Sequence, residues 1–151
     1  METLKQFSIF MVNKPGVLSR ILDQFTKAKI NIKALTVMDS VEHGVLRVVP
    51  ESAEKMRDVL TKANIQFNET EVLCITIPNQ SGAFASVTDK LAKAHINIAY
   101  AYVTSGAKGG KTMAVLKVAD VKKAMKVLHS TQTAASERRF AERRTLATRR
   151  S

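Results

Sequence analysis

The chain has 151 residues, of which 45% are hydrophobic and 25% charged, and its formal net charge is +11. This length fits one compact domain or two very small ones, and it excludes an enzyme with separate cofactor and substrate domains. The apolar content excludes wholesale disorder, whereas the basic charge keeps nucleic acids, anionic membranes and acidic ligands open as partners.

Residues that carry metal and redox chemistry are few. Cys74 is the one cysteine, which excludes an intrachain disulfide, and the three histidines lie far apart in the sequence. We therefore expect no metal and no cofactor. The N-terminus lacks the pattern of a secretory signal, and no apolar run reaches membrane-spanning length. These features predict a cytoplasmic protein that does not enter a membrane.

The first half of the chain has the predicted order strand, helix, strand, strand, helix, strand. Residues 6–12 are rich in β-branched and aromatic residues and predict a strand that ends at the turn formed by residues 13–16. Apolar residues at helical spacing follow over 18–28. The remaining elements are two strands, a helix and an extended segment, at 32–39, 45–49, 53–63 and 65–71.

The same order starts again at residue 72. The predicted elements are a strand, a helix, two strands and a helix, at 72–78, 84–94, 98–103, 112–118 and 121–128. The segment VLSRILDQFTKAKINI parallels AFASVTDKLAKAHINI at a constant shift of 66 residues, and the shift grows to 70 at Val45/Val115. This self-similarity indicates an internal duplication.

Each half therefore has the order βαββαβ, in which right-handed crossovers place both helices on one face of an antiparallel sheet. The predicted fold class is α+β, with two tandem ferredoxin-like units at residues 1–71 and 72–130. Since a unit of about 65 residues has a marginal core, we expect the two units to pack together. Strand 6–12 is apolar on both faces, which predicts that the sister unit or another subunit covers the helix-free face.

Residues 131–151 differ in composition from the rest of the chain. They hold six arginines and no lysine, whereas residues 1–130 hold 15 lysines and three arginines. They also stand where the second unit should supply its last strand, but they lack the apolar alternation of a strand. We expect an Arg-rich C-terminal tail and a final strand that is missing or atypical.

Two motifs carry a resemblance to a known family. Asn13-Lys14-Pro15-Gly16-Val17-Leu18 followed by Ile30-Asn31-Ile32, within βαββαβ, resembles the ACT domain, the small-molecule sensor attached to many amino-acid biosynthetic enzymes. Asn79-Gln80-Ser81-Gly82-Ala83-Phe84 with Ile96-Asn97-Ile98 resembles it too. The resemblance covers about residues 4–130. It implies a stand-alone, amino-acid-binding regulatory ACT pair that forms a homodimer through its ACT units and acts on an enzyme that it regulates.

The resemblance also implies a binding site at an interface between ACT units. The implied residues are Asn13, Gly16, Val17, Leu18, Asn31 and Ile32 in the first half, and Asn79, Gly82, Ala83, Phe84, Asn97 and Ile98 in the second. A glycine turn that opens a helix suits a carboxylate, and asparagine amides offer both a donor and an acceptor. We expect Asn13 and Asn31 to lie at the same edge of the sheet.

Two points qualify this site. Asparagines also suit turns for purely local reasons, so a structural role is the alternative for each of them. Phe84 replaces Leu18 in the second half and is expected to fill part of its pocket. The two sites are therefore expected to differ in ligand, or only one of them binds.

RNA binding is the alternative function, since βαββαβ sheets also bind RNA by stacking bases on aromatic residues. Only 5% of the chain is aromatic, and the strands VLRVV and VLKV carry no aromatic residue, so nucleic acid is the less favoured hypothesis.

Residues 105–112 nearly match a phosphate-binding loop, but a strand is predicted after them, where that motif requires a helix. Cys74 lies among apolar neighbours and is predicted to be a core residue. The sequence shows no catalytic constellation, which predicts that the protein is not an enzyme.

Overall fold

A computed structural model describes residues 1–39, 43–104 and 110–129 of the chain. Within these ranges the strands and helices follow the predicted order. Their bounds are β1 Glu2–Val12, α1 Val17–Lys27, β2 Ile32–Asp39, β3 His43–Pro50, α2 Ala53–Lys62, β4 Phe67–Pro78, α3 Ala83–Lys93, β5 Ile98–Thr104 and β6 Lys111–Val118, followed by α4 over 121–129. The Arg-rich tail lies outside the described residues, as do residues 105–109 of the loop that resembles a phosphate-binding loop.

All six strands form one antiparallel sheet in the order β2-β3-β1-β4-β6-β5. Strand β4 is shared, because its first part pairs with β1 and its second part pairs with β6. We call residues 1–71 unit one and residues 72–129 unit two, and the boundary between them falls inside β4. The predicted fold class, α+β with two tandem ferredoxin-like units, is confirmed.

The four helices lie on one face of the sheet, over two hydrophobic cores. In unit one, α1 and α2 cover β1 and β3 through Phe7, Ile9, Ile21, Phe25, Leu46, Val48, Met56 and Leu60. In unit two, α3 and α4 cover β4 and β6 through Leu73, Ile75, Val87, Leu91, Ala114, Leu116, Ala124 and Leu128. Burial of each large apolar side chain stabilises the fold by about 1.5–3 kcal/mol. No helix in the described ranges is long and apolar enough to cross a lipid bilayer.

The N-terminal part of β1 occupies the position of a fourth strand in unit two. Residues 2–4 pair antiparallel with residues 72–74, and Met1 packs against the core of unit two. Thr3 Oγ1 lies 3.3 Å from Met125 Sδ on α4. This arrangement mirrors the way the first part of β4 flanks β1 in unit one. The place beside the first strand of unit two is therefore filled from the other end of the chain.

Strand pairing corrects the alignment of the two halves at their third strands. Phe7 pairs with Val48, and its counterpart Leu73 pairs with Leu116, so the shift there is 68 (116 minus 48) and not 70. Val45-Leu46 in β3 and Val115-Leu116 in β6 have the same letters but lie two residues apart in the structural alignment. An alignment error of two residues is hard to detect in a strand, because it leaves every side chain on the same face of the sheet. The corrected register makes β6 the counterpart of β3 over its whole length.

The sheet curls toward its helix-free face, and the curl covers the centre of that face. Buried side chains from β2, β3, β4 and β6 meet there without a helix, namely Ala34, Val49, Val72, Cys74 and Val115. The guanidinium carbon of Arg47 on β3 lies 3.8 Å from the ring centroid of Tyr100 on β5, although three strands separate β3 from β5. Unit two thus contributes to covering this face through the shared sheet. Phe10, Val12 and Met38 remain exposed.

Candidate functional site

The turn that precedes the first helix of each unit has the same backbone geometry. Gly16 and Gly82 adopt left-handed φ values of 83° and 80°, a conformation that costs a residue with a Cβ about 1–2 kcal/mol. Neither α1 nor α3 has a side-chain hydrogen bond at its N-cap or an acidic residue in its first turn. The first-turn N–H groups and the helix dipole therefore make both ends suitable for a carboxylate.

The structure separates the two asparagines that we expected to meet. Asn13 follows β1 at the end of the sheet where β3 begins, and Asn31 precedes β2 at the end where β3 stops. Because β3 has eight residues, the two asparagines lie roughly 20 Å apart along the strands. The predicted shared edge is wrong, since β1 and β2 are parallel and α1 carries the chain back between them.

Unit two repeats this separation. Asn79 follows β4 at the end where Pro78 pairs with Lys111, and Asn97 precedes β5 at the end where Ile98 pairs with Val118. Asn79 also donates its backbone N–H to the carbonyl oxygen of Gly110 (2.9 Å). Each unit therefore has two candidate half-sites, with the glycine turn at one end of the sheet and the second asparagine at the other.

The half-site around Asn31 contains a carboxylate. The backbone N–H of Glu51 donates to the carbonyl oxygen of Asn31 (2.8 Å), and Asn31 Nδ2 donates to Glu51 Oε2 (3.0 Å). Both residues are exposed. The sequence interpretation missed Glu51, although the pairing of Ile32 with Pro50 places it beside Asn31. The corrected register aligns Glu51 with Ala119, so the half-site around Asn97 has no carboxylate at this position.

The apolar candidates divide between the cores and the surface. Val17 and Leu18 pack against the core of unit one, while Ala83, Phe84 and Ile98 pack against the core of unit two. The side chain of Phe84 thus contacts the protein interior, and these residues offer a ligand chiefly their backbone groups. Ile32 differs, because 39% of it is exposed.

Strand β2 is a free edge of the sheet and carries exposed apolar residues. Ile32, Val37 and Met38 are 39%, 42% and 47% exposed. On the other free edge, β5, Val103 is the large apolar residue with comparable exposure among those described. Exposed apolar edges tend to pair with another strand, so β2 is the edge better suited to a partner.

Three surface clefts in the described part of the chain lie beside α1. One of about 460 Å³ is lined by Val17, Arg20, Ile21, Gln24, Ala63 and Ile65, and two others are lined by residues of α1 and α2. Neither Asn13 nor Asn31 lines any of these three clefts. Both asparagines are exposed in the single chain.

The other reactive groups have structural positions. Cys74 is buried, and burial raises the pKa of its thiol to about 11, so the thiolate needed for nucleophilic chemistry does not form near neutral pH. Lys111 and Thr112 begin strand β6, as predicted, whereas a phosphate-binding loop would require a helix there. Across residues 1–39, 43–104 and 110–129, no group of three or more His, Cys, Asp and Glu side chains could hold a metal ion.

The architecture is a duplicated ferredoxin-like sheet in which a glycine turn suited to a carboxylate precedes the first helix of each unit. Comparison with known families agrees, because residues 2–142 match the model of the ACT domain pair. The chain therefore belongs to the ACT domain pair family, which confirms the resemblance seen in the sequence. No curated protein matches this sequence.

Solved structures share the whole arrangement. Protein BT0572 from Bacteroides thetaiotaomicron is similar, with a TM-score of 0.80 and 28% identity over 86% of this chain and 89% of that one. The ligand-free regulatory subunit of aspartate kinase from Thermus thermophilus has a TM-score of 0.63 and 11% identity, over 86% and 97% of the two chains. A structure of aspartokinase alpha and beta subunits gives 0.59 and 17%, over 85% and 92%.

Proposed function

We propose that this protein is an amino-acid sensor without a catalytic site of its own, and that it regulates an enzyme of amino-acid metabolism. Membership of the ACT domain pair family supports a regulatory role, and two of the similar solved structures are an aspartate kinase regulatory subunit and an aspartokinase with its alpha and beta subunits. The half-sites support a zwitterionic ligand. A carboxylate suits the turn at Gly16, and an ammonium group suits the acceptors beside Asn31.

The separation of Asn13 from Asn31 is the observation that carries this proposal. A free amino acid is far too short to span the roughly 20 Å between the two ends of one sheet. Asn13 and Asn31 are both exposed in the single chain. We infer that the site is completed by a second copy of the chain.

The second copy pairs its own β2 with the free β2 edge around a twofold axis. In this antiparallel pairing, the start of β2 in one copy lies beside the end of β2 in the other copy. The end of β2 is also the end of the sheet at which Asn13 and Gly16 lie. Asn31 of one copy therefore faces the end of the sheet that carries Asn13 and Gly16 of the second copy. The contact covers the exposed Ile32 and Val37 edge and forms two identical sites. Each site then combines Asn31 of one copy with Asn13 of the other.

A mixing experiment tests this arrangement once a thermal-shift screen of the common amino acids has identified a stabilising ligand. Asn13→Ala and Asn31→Ala should each weaken binding about 10- to 100-fold, since each removes hydrogen bonds to a charged group. Equal amounts of the two variants, refolded together, should recover about one quarter of the wild-type sites. Half of the dimers are then mixed, and each mixed dimer has one intact site.

Titration calorimetry counts the recovered sites, and each variant refolded alone is the control. If the mixture binds no better than its components, the two asparagines do not act across copies. If no common amino acid raises the melting temperature of the wild-type protein, the proposed function itself is wrong.

A further inference from the structure

The two units differ in charge at the residue that follows their third strand, which is β3 in unit one and β6 in unit two. Glu51 follows β3 and contacts Asn31 through a backbone and a side-chain hydrogen bond. Ala119 follows β6 at the equivalent place, beside Asn97. Duplication thus produced two asparagines in matching positions, of which the one in unit one has a carboxylate partner.

The hydrogen bond to Glu51 changes what Asn31 can offer a ligand. Asn31 Nδ2 donates to Glu51 Oε2, so the amide oxygen is the group that Asn31 can offer a ligand as an acceptor. The second carboxylate oxygen, Oε1, is a further acceptor, and a carboxylate carries no donor when ionised. An exposed pair of acceptors with a negative charge favours a cationic group that has several N–H donors.

No protein cation neutralises this carboxylate in the described part of the chain. The ion pairs found there use Glu2, Asp23, Glu69, Glu71 and Asp89. Glu51 is exposed and makes its side-chain hydrogen bond to the neutral amide of Asn31. A basic chain with a net charge of +11 therefore keeps an unneutralised carboxylate directly at the candidate site.

We propose that Glu51 is the specificity-determining residue that receives the α-ammonium group of the ligand, with Asn31 Oδ1 as the second acceptor. This assignment rests on the proposed amino-acid-binding function and adds the class of ligand. Unit one binds α-amino acids with a free ammonium group and discriminates against their deaminated counterparts. Unit two has Ala119 in place of Glu51, and the carboxylate that follows it, Asp120, accepts from the backbone N–H of Lys123. Each chain therefore contributes one ammonium-binding half-site.

The test compares Glu51→Gln with Glu54→Gln. The first change removes the charge but retains an acceptor for Asn31, so the turn is preserved. The second removes an exposed charge in the first turn of α2 and serves as the matched control. The probes are the amino acid that gives the largest thermal shift and the α-hydroxy acid with the same side chain, both measured by titration calorimetry.

Glu51→Gln should weaken binding of the amino acid about 10- to 100-fold, since a charge-assisted hydrogen bond is lost. Its affinity for the α-hydroxy acid should change by less than about threefold, and Glu54→Gln should leave both affinities unchanged. An amino-acid affinity that Glu51→Gln leaves intact would overturn the assignment while the sensor function stands. A protein that binds no amino acid at all would instead refute the proposed function.

Discussion

The two units have the same backbone conformation at the turns before and after their first helix. Gly16 and Gly82 both have left-handed φ before the first helix. Lys29 and His95, which follow that helix, also share left-handed φ values of 52° and 55°, although such a conformation is unfavourable for residues with a Cβ. Divergence after the duplication therefore preserved the turns that position the half-sites.

Side chains on the helix-free face have diverged instead. Ala34 and Thr36 on β2 correspond to Tyr100 and Tyr102 on β5 under the shift of 66. The two tyrosines extend from unit two across the curled sheet to Gln6 on β1, whose side chain is fully buried. Ala34 and Thr36 carry no aromatic ring, so they cannot make the equivalent contact from unit one to unit two.

The two tyrosines give each polar atom of the buried Gln6 amide a hydrogen-bond partner. Gln6 Nε2 donates to the Tyr100 hydroxyl (2.6 Å), and the Tyr102 hydroxyl donates to Gln6 Oε1 (3.0 Å). Arg47 lies over the Tyr100 ring, and such cation–π contacts contribute about 0.5–2 kcal/mol. The ring that could stack on a nucleic-acid base is therefore covered by an arginine, which weighs against the RNA-binding alternative.

Among the changes that separate the two units, deletion of residues 2–4 is expected to have the largest effect on the free energy of unfolding. It removes the strand pairing with residues 72–74 and the packing of Leu4, which together stabilise the fold by about 3 kcal/mol. Urea unfolding followed by circular dichroism measures the loss. Hydrogen exchange should show faster exchange in β6 and α4 of unit two than in β3 and α2 of unit one.

Glu2→Ala combined with Thr3→Ala is the matched control, because it removes side chains and retains the backbone pairing. The control should lose less than about 1 kcal/mol. Equal acceleration of exchange in both units after the deletion would mean that the N-terminal segment does not specifically complete unit two.

Periodicity predicted the elements, but not how strands are shared between the units. Apolar spacing located each helix to within a few residues, since one face of each must contact a core. It started β1 at residue 6, whereas the strand begins at Glu2, because residues 2–5 are mostly polar. They pair as a strand because residues 71–74 of β4 offer them a partner, and such a non-local partner leaves no local sequence signal.

Tyr102→Phe should have the next largest effect. The change leaves Gln6 Oε1 buried without its donor, at a cost of about 2 kcal/mol in the free energy of unfolding. Thr36→Val is the matched control at the equivalent position of unit one, and it should shift stability by less than about 0.5 kcal/mol. Urea unfolding of both variants measures the difference, and equal losses would show that the tyrosine contact does not stabilise the fold.

The sequence interpretation selected residues for the site but gave them the wrong geometry. Asn13 and Asn31 were recognised from the motif, yet their separation follows from the parallel direction of β1 and β2, which the motif does not encode. Glu51 was missed because its place beside Asn31 depends on the register of β2 against β3, in which Ile32 pairs with Pro50. Gln6 and Tyr100 are 94 residues apart in the sequence, and no local pattern links them.

The smallest effect is expected from a change at Asn97 in unit two. This prediction tests whether the two units differ in ligand binding. Asn97→Ala should leave the affinity for the stabilising amino acid within about twofold of wild type. Ala119 stands in place of Glu51 there, the neighbouring Asp120 accepts from Lys123 N–H, and β5 is not the edge assigned to the second copy. Asn31→Ala should weaken the same affinity about 10- to 100-fold. Titration calorimetry of both variants gives the ratio. Equal losses at Asn31 and Asn97 would mean that both units bind the ligand and that the carboxylate of Glu51 does not distinguish them.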